Sequence, residues 1–229
     1  MFPKLLKLRD FTARAANPLA VPKACDTMNP PMPAISAQLI DALCSGDDAV
    51  RTDAAAQIYN IAVAPALTIA QKWQQDTELA GLLATPTLHV TAGLAVSPAN
   101  FAKIHAAAQN PPLAEVPPDQ DAQEFELHFP DAVSLDILTT KDPAGSGAIA
   151  RYLNKFGEGI QQVEFRCKNV DRATEILKTQ FAVSPVYPAT RQGANNTRIN
   201  FFLVSIESPA NEKILIELYD RRRFTMALR

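Results

Sequence analysis

The chain has 229 residues, 47% of them hydrophobic and 20% charged, and a formal net charge of −2. That length can bury a sizeable core, and the balanced charge argues against a nucleic-acid protein. Three scattered cysteines (Cys25, Cys44, Cys167) form no CxxC pair and no disulfide framework, which points to a reducing, cytoplasmic setting. No apolar run approaches the roughly 18 residues of a membrane span, and the first 21 residues lack the continuous apolar core of a signal peptide.

Residues 1–33 hold six of the eighteen prolines and no glycine, so they read as an extended arm. Residues 34–84 have a helical pattern. Ile35, Leu39, Ile40 and Leu43 recur at helical spacing, Ser36 is placed to contribute to a cap, and Gly46 ends this first helix. Asp47 or Asp48 starts the next, whose stripe runs from Ala54 through Ile58, Ile61, Ala62 and Leu67 to Trp73. Pro65 should kink or split that helix, and Gly81 and Pro86 close the region. Two or three helices packed as a cap or a dimer element are expected.

After Thr85 the period changes. Leu88–Val96 reads as a strand, Ser97-Pro98 opens a helix over Ala99–Ala108, and the four prolines within 109–119 mark a loop. Glu124–Phe129 and Val133–Thr139 alternate as strands around Pro130-Asp131. The order then recurs: a strand at Ile160–Cys167, a helix from Val170, and strands at Thr197–Ser205 and Lys213–Tyr219 around a turn at 208–211. The fold class is therefore α+β, a helical N-terminal region followed by two βαβββ modules at about 85–140 and 145–220, with a basic tail at 221–229.

The copies align at their ends, Ser134-Leu135-Asp136-Ile137-Leu138 against Leu215-Ile216-Glu217-Leu218-Tyr219. Each places one carboxylate inside an apolar strand. A buried carboxylate is costly unless paired, hydrogen-bonded or metal-bound. On one strand the bland reading is a solvent-facing residue of a half-buried sheet. Equivalent positions of a repeat can instead turn both Asp136 and Glu217 into one site.

The run Gly157-Glu158-Gly159-Ile160-Gln161-Gln162, then Asn169-Val170-Asp171, Thr197-Arg198-Ile199-Asn200-Phe201-Phe202 and Leu215-Ile216-Glu217-Leu218 follow in order. Over about residues 144–220 they resemble the second half of methylmalonyl-CoA epimerases, members of the glyoxalase or vicinal-oxygen-chelate superfamily. The resemblance implies a cupped sheet around one divalent metal held by the first and last strands of each module. By position the metal ligands fall on Asp136, Gln162 and Glu217, with Thr91 or, through a bulge or shifted register, His89 as the fourth. The family places a His-His pair where this chain has Gln161-Gln162, so an oxygen-rich site for Mg²⁺, Mn²⁺ or Co²⁺ is implied, or a site with no metal at all.

The implied chemistry is a metal-assisted isomerase or lyase reaction on a small carbonyl or acyl-CoA compound, with Glu217 or Glu164 moving the proton. Glu164 shares a strand face with Gln162, although an exposed strand residue is its simpler reading. A metal-free cavity binding a small molecule, as in resistance-type members of the superfamily, is the alternative. In a third reading the helical segment does the work, holding a partner or forming a homodimer. His105 and His128 read as surface or core-satisfied histidines, and Arg221-Arg222-Arg223 as a solvated tail that can also meet an anionic ligand. The partner expected is a small molecule, with no nucleic acid and no membrane.

Overall fold

The computed structural model of the chain describes residues 35–83, 87–206 and 212–221. The Pro-rich arm, Cys25, the turn at 208–211, Arg222 and Arg223 lie outside the described residues. The helical region comprises α1 (Ala37–Leu43), α2 (Asp48–Trp73) and α3 (Thr77–Leu83). Asp47 caps α2 by accepting the N–H groups of Ala49 and Val50 on its side chain. Ser36 sits at the N-cap of α1 but makes no side-chain cap bond.

Pro65 does not split α2, contrary to the sequence expectation; one helix runs through it. Proline removes one backbone hydrogen bond, but Ile58, Ala62, Ala66, Ile69 and Trp73 are all buried on either side of it. That continuous buried face outweighs the local loss. Gly81 likewise lies within α3 rather than closing the region.

The remainder is one seven-stranded mixed sheet with helices beside it. In chain order it has β1 (Val90–Ala95), α4 (Pro98–Ala107), β2 (Gln123–His128), β3 (Ser134–Thr139), α5 (Ala148–Phe156), β4 (Gly159–Arg166), α6 (Val170–Gln180), β5 (Arg191–Gln192), β6 (Arg198–Ser205) and β7 (Lys213–Asp220). The spatial order is β2-β3-β1-β4-β7-β6-β5. The first strands of the modules, β1 and β4, pair antiparallel at the centre, and each pairs in parallel with the last strand of its own module. The repeat read from sequence is present, but unequal. Among the described residues the first module has two strands after its helix and the second has three, because the proline-rich stretch after α4 forms no strand.

Alternation along the strands separates two faces. Ala92, Leu94, Leu135, Ile137, Val163, Phe165, Ile216 and Leu218 join the main core with the helical region. Trp73 meets Phe165 and Phe202 edge-on, with ring centroids 6.2 and 6.4 Å apart. The helices therefore cover one face of the sheet and leave the other for a cavity. Among the described residues no helix is long and apolar enough to cross a membrane, and no disulfide joins Cys44 to Cys167.

Truncating Trp73 to alanine should cost about 3–5 kcal/mol of stability in urea unfolding, the usual range for a buried large aromatic. A loss below about 1 kcal/mol would mean that the helices do not complete the core of the sheet.

Candidate functional site

The open face of the sheet lines a cavity of about 1590 Å³. Glu124, Asp136, Gln162, Glu164, Glu217 and Tyr219 are among its lining residues. Strand register brings them together. Asp136 lies opposite Gly93 of β1, Gly93 opposite Gln162 of β4, and Glu164 opposite Glu217 of β7. With Thr91 opposite Glu164 as well, a local two-fold through Ala92 and Val163 relates the modules. It equates Asp136 with Glu217, Thr91 with Gln162, and Gly93 with Glu164.

That symmetry explains two features. Glu164 is an extra carboxyl in the second module only, since its counterpart in the first is glycine. Gly93 itself makes room for the site, because a Cβ there would come within 2.6 Å of the Gln162 Cγ. A register shift beside Gly93 leaves Gln161 as an extra residue on β4, and this bulge turns both Gln161 and Gln162 to the cavity.

Gln162 ties the cluster together. Its Nε2 donates to Glu164 Oε1 at 2.9 Å and to Glu217 Oε2 at 2.8 Å. Asp136 and Glu164 are buried. Burial, followed by the neighbouring carboxyls, raises the pKa of Asp136 and Glu217 well above the ordinary range. Burial is also the main cause that raises Glu164 to about 8, against the opposing hydrogen bond from Gln162, and Glu124 to about 7. Among the described residues, the charged side chains acting on Asp136 and Glu217 are all carboxyls.

The sequence-predicted residues Asp136, Gln162, Glu164 and Glu217 thus converge. The structure does not bring His89 to them. β1 is regular from Val90 to Gly93 and the bulge lies on β4, so Thr91 takes the place equivalent to Gln162. His89 precedes β1, its carbonyl accepting the Arg166 N–H at 3.1 Å, and it is not among the residues lining the cavity. Burial and the nearby Arg221 and Arg166 depress its pKa. His105 stacks on Phe101 beside α4 and has Pro111 O at 2.7 Å, while His128 pairs with Glu126 at 3.3 Å. Arg221, at the start of the tail, also lines the cavity.

Sequence reasoning missed three contributors. Glu124 and Tyr219 follow from alternation with Glu126 and Glu217, a signal that was present. Gln161 depends on the bulge, which a bare alternating pattern hides. One part of the cavity lining was also illegible: the proline-rich stretch after α4 fastens to the segment around β5. Glu115 and Asn195 exchange hydrogen bonds at 2.9 and 3.0 Å, Gln120 Nε2 donates to Gln192 O at 2.9 Å, and Arg191 pairs with Asp119 at 2.7 Å.

Among the described residues, no group of three or more His, Cys, Asp and Glu side chains is arranged to hold a metal ion. The donor chemistry nevertheless fits a hard cation. Asp136 and Glu217 offer carboxylate oxygens, and Gln162, with Nε2 committed to two glutamates, offers its amide oxygen.

No protein-family model matches the chain, and no curated protein matches it. Among solved structures it is similar to a methylmalonyl-CoA epimerase from Mycobacterium tuberculosis, at 31% identity over 57% of this chain and 85% of that one, with a TM-score of 0.45. A Streptomyces coelicolor methylmalonyl-CoA epimerase in complex with 2-nitronate-propionyl-CoA matches at 19% identity, over 58% and 95% of the two chains, TM-score 0.45. A methylmalonyl-CoA epimerase in complex with methylmalonyl-CoA and NH4+ matches at 20% identity, over 58% and 92%, TM-score 0.45.

Two outcomes follow from this geometry. A carboxyl whose folded pKa is raised binds a proton more readily when folded, so it removes stability as pH climbs from its unfolded to its folded value. For Glu164 and Glu124 that window spans the ordinary glutamate range up to about 8 and about 7. Thermal unfolding should therefore occur at progressively lower temperature between pH 5 and pH 8, with the slope flattened in Glu164→Gln; a rising profile would contradict the burial of these groups. Gly93→Ala should displace Gln162 and cost about 1–3 kcal/mol, the range for overpacking, whereas an unchanged denaturation midpoint would show that Gln162 is not held against Gly93.

Proposed function

We propose that the chain is a member of the glyoxalase, or vicinal-oxygen-chelate, superfamily and that its cavity is the active site of an isomerase that moves a proton at the carbon beside a small carbonyl or acyl-thioester group. The observation that carries this reading is the buried Asp136–Glu164–Gln162–Glu217 cluster at the floor of the cavity. A general base works best when its pKa lies near the operating pH, and Glu164 at about 8 meets that condition.

In the proposed mechanism Glu164 takes the proton from the carbon and returns it. Gln162, bonded to both Glu164 and Glu217, fixes the orientation of the two carboxyls. Glu217 stands on the neighbouring strand as a second proton carrier, so a proton can leave to one carboxyl and return from another. The apolar parts of the cavity wall, including Leu138, Phe201 and Leu203, exclude water from the reacting carbon.

Asp136, Gln162 and Glu217 would hold a divalent cation, with Mg²⁺, Mn²⁺ or Co²⁺ the ions suited to oxygen donors. Such an ion, when bound, supplies Lewis-acid stabilisation of negative charge on the carbonyl oxygen. His89 has no part in this set, since it stands outside the cavity lining. A cytoplasmic setting, consistent with the scattered cysteines, completes the reading.

The test is exchange of the carbon-bound proton in D2O with a panel of short acyl-CoA thioesters and 2-oxoaldehydes, followed by mass spectrometry with and without added Mg²⁺, Mn²⁺ or Co²⁺. At least one panel member should acquire deuterium, and Glu164→Gln should slow this on the order of 10²-fold or more. Asp136→Asn and Glu217→Gln should weaken divalent-ion binding in calorimetric titration. No exchange with any member, under any of these conditions, would overturn the isomerase reading.

A further inference from the structure

Two departures from the two-fold of the sheet stand near one another on the second module. The relation that equates Asp136 with Glu217 also equates Leu138 with Tyr219, and both of these line the cavity. The first module therefore presents Gly93 and a leucine where the second presents Glu164 and a phenol. Tyr219 lies two residues beyond Glu217 on β7, on the same strand face and about 7 Å along the strand. Glu164 is close enough to act on the phenol electrostatically.

Tyr219 is 6% exposed, and its hydroxyl is buried without a hydrogen-bond partner. Buried polar atoms are almost always satisfied, so an orphaned hydroxyl in a cavity wall marks a place for a ligand atom. A second orphan in the same wall, Gln161 Oε1, can only accept, whereas the Tyr219 hydroxyl can donate. Neighbouring donors are engaged: Gln162 Nε2 with Glu164 and Glu217, the Tyr152 hydroxyl with Ile160 O at 2.7 Å, Arg191 with Asp119, and Arg151 with the Ser146 carbonyl. Arg221 also lines the cavity, but it is exposed beyond the end of β7, where its hydrogen bonds compete with water.

We propose that the Tyr219 hydroxyl is the cavity's own hydrogen-bond donor to the carbonyl oxygen of the bound acyl compound. As Glu164 draws the proton from the neighbouring carbon, the C–H electron pair moves toward that oxygen, and a hydrogen bond already aimed at the oxygen strengthens with its charge. Tyr219 keeps its own proton throughout, and the proton lost by carbon stays on Glu164 until it returns. The phenol acts in addition to any divalent ion held by Asp136, Gln162 and Glu217. The inference rests on the reading of this cavity as the substrate site.

The experiment is a two-by-two comparison. The full chain and Tyr219→Phe are each titrated calorimetrically at pH 7, without added metal, with butyryl-CoA and with S-butyl-CoA, in which a methylene replaces the thioester carbonyl. The wild-type chain should bind butyryl-CoA about fivefold tighter than S-butyl-CoA, the worth of a hydrogen bond between neutral groups, and Tyr219→Phe should bind the two equally. Because the hydroxyl has no partner in the ligand-free chain, Tyr219→Phe should unfold at an equal or higher urea concentration than the wild type. A preference that survives in Tyr219→Phe, no preference in the wild type, or a lower urea midpoint for the variant would overturn the assignment while leaving the cavity as a thioester site. Binding of neither compound by the wild-type chain would overturn both. A carbonyl preference that depends on Tyr219, with no proton exchange in D2O, would support the assignment and remove the isomerase reading alone.

Discussion

Three carboxyls from β3, β4 and β7 meet at the centre of one sheet face, and among the described residues the charged side chains acting on them are all carboxyls. Everything else at the site is arranged around that fact. Removing carboxylates from water is costly enough that they hold protons, share hydrogen bonds, or take up a ligand of opposite charge. Here Gln162 donates to two of them, and burial raises the pKa of all three. A cluster in this condition is poised to exchange protons near neutral pH, which is a useful property for isomerisation.

The sheet can carry such a cluster because its other face is secured separately. α2 lays ten buried side chains, Trp73 the largest of them, along the helix, and the Trp73 ring reaches strands of the second module through Phe165 and Phe202. The apolar burial that stabilises the fold lies on the helix-covered face, and the polar burial that destabilises it lies on the cavity face. Such a division is the usual relation between a rigid scaffold and a strained site. The unequal modules add a second division. The first module gives up a strand, and its proline-rich connection crosses to the second module.

Much of this was legible in the sequence. Strand alternation and the aligned ends of the repeat located Asp136 and Glu217, and the spacing within Gln162-Val163-Glu164 put two polar side chains on one face. The helices at 37–43 and 48–73 followed from apolar spacing and the Asp47 cap. Other features depend on contacts that no local pattern encodes. The continuity of α2 through Pro65 rests on tertiary burial. The choice of Thr91 over His89 rests on where the bulge falls, and that is set by pairing across β1 and β4. The role of Gly93 is visible only as the space that its missing side chain leaves for Gln162.

The central claim is that burial and mutual proximity raise the pKa of these carboxyls above the ordinary range in the folded chain. Carbon-13 NMR of the side-chain carboxyls, titrated from pH 4 to pH 9 in protein labelled at Asp and Glu, tests it most directly. Glu164, assigned like the others by single amide substitution, should titrate near pH 8, and Asp136 and Glu217 well above the ordinary carboxylate range. If all three titrate below pH 5, the floor of the cavity is an ordinary set of solvated carboxylates, and the account fails.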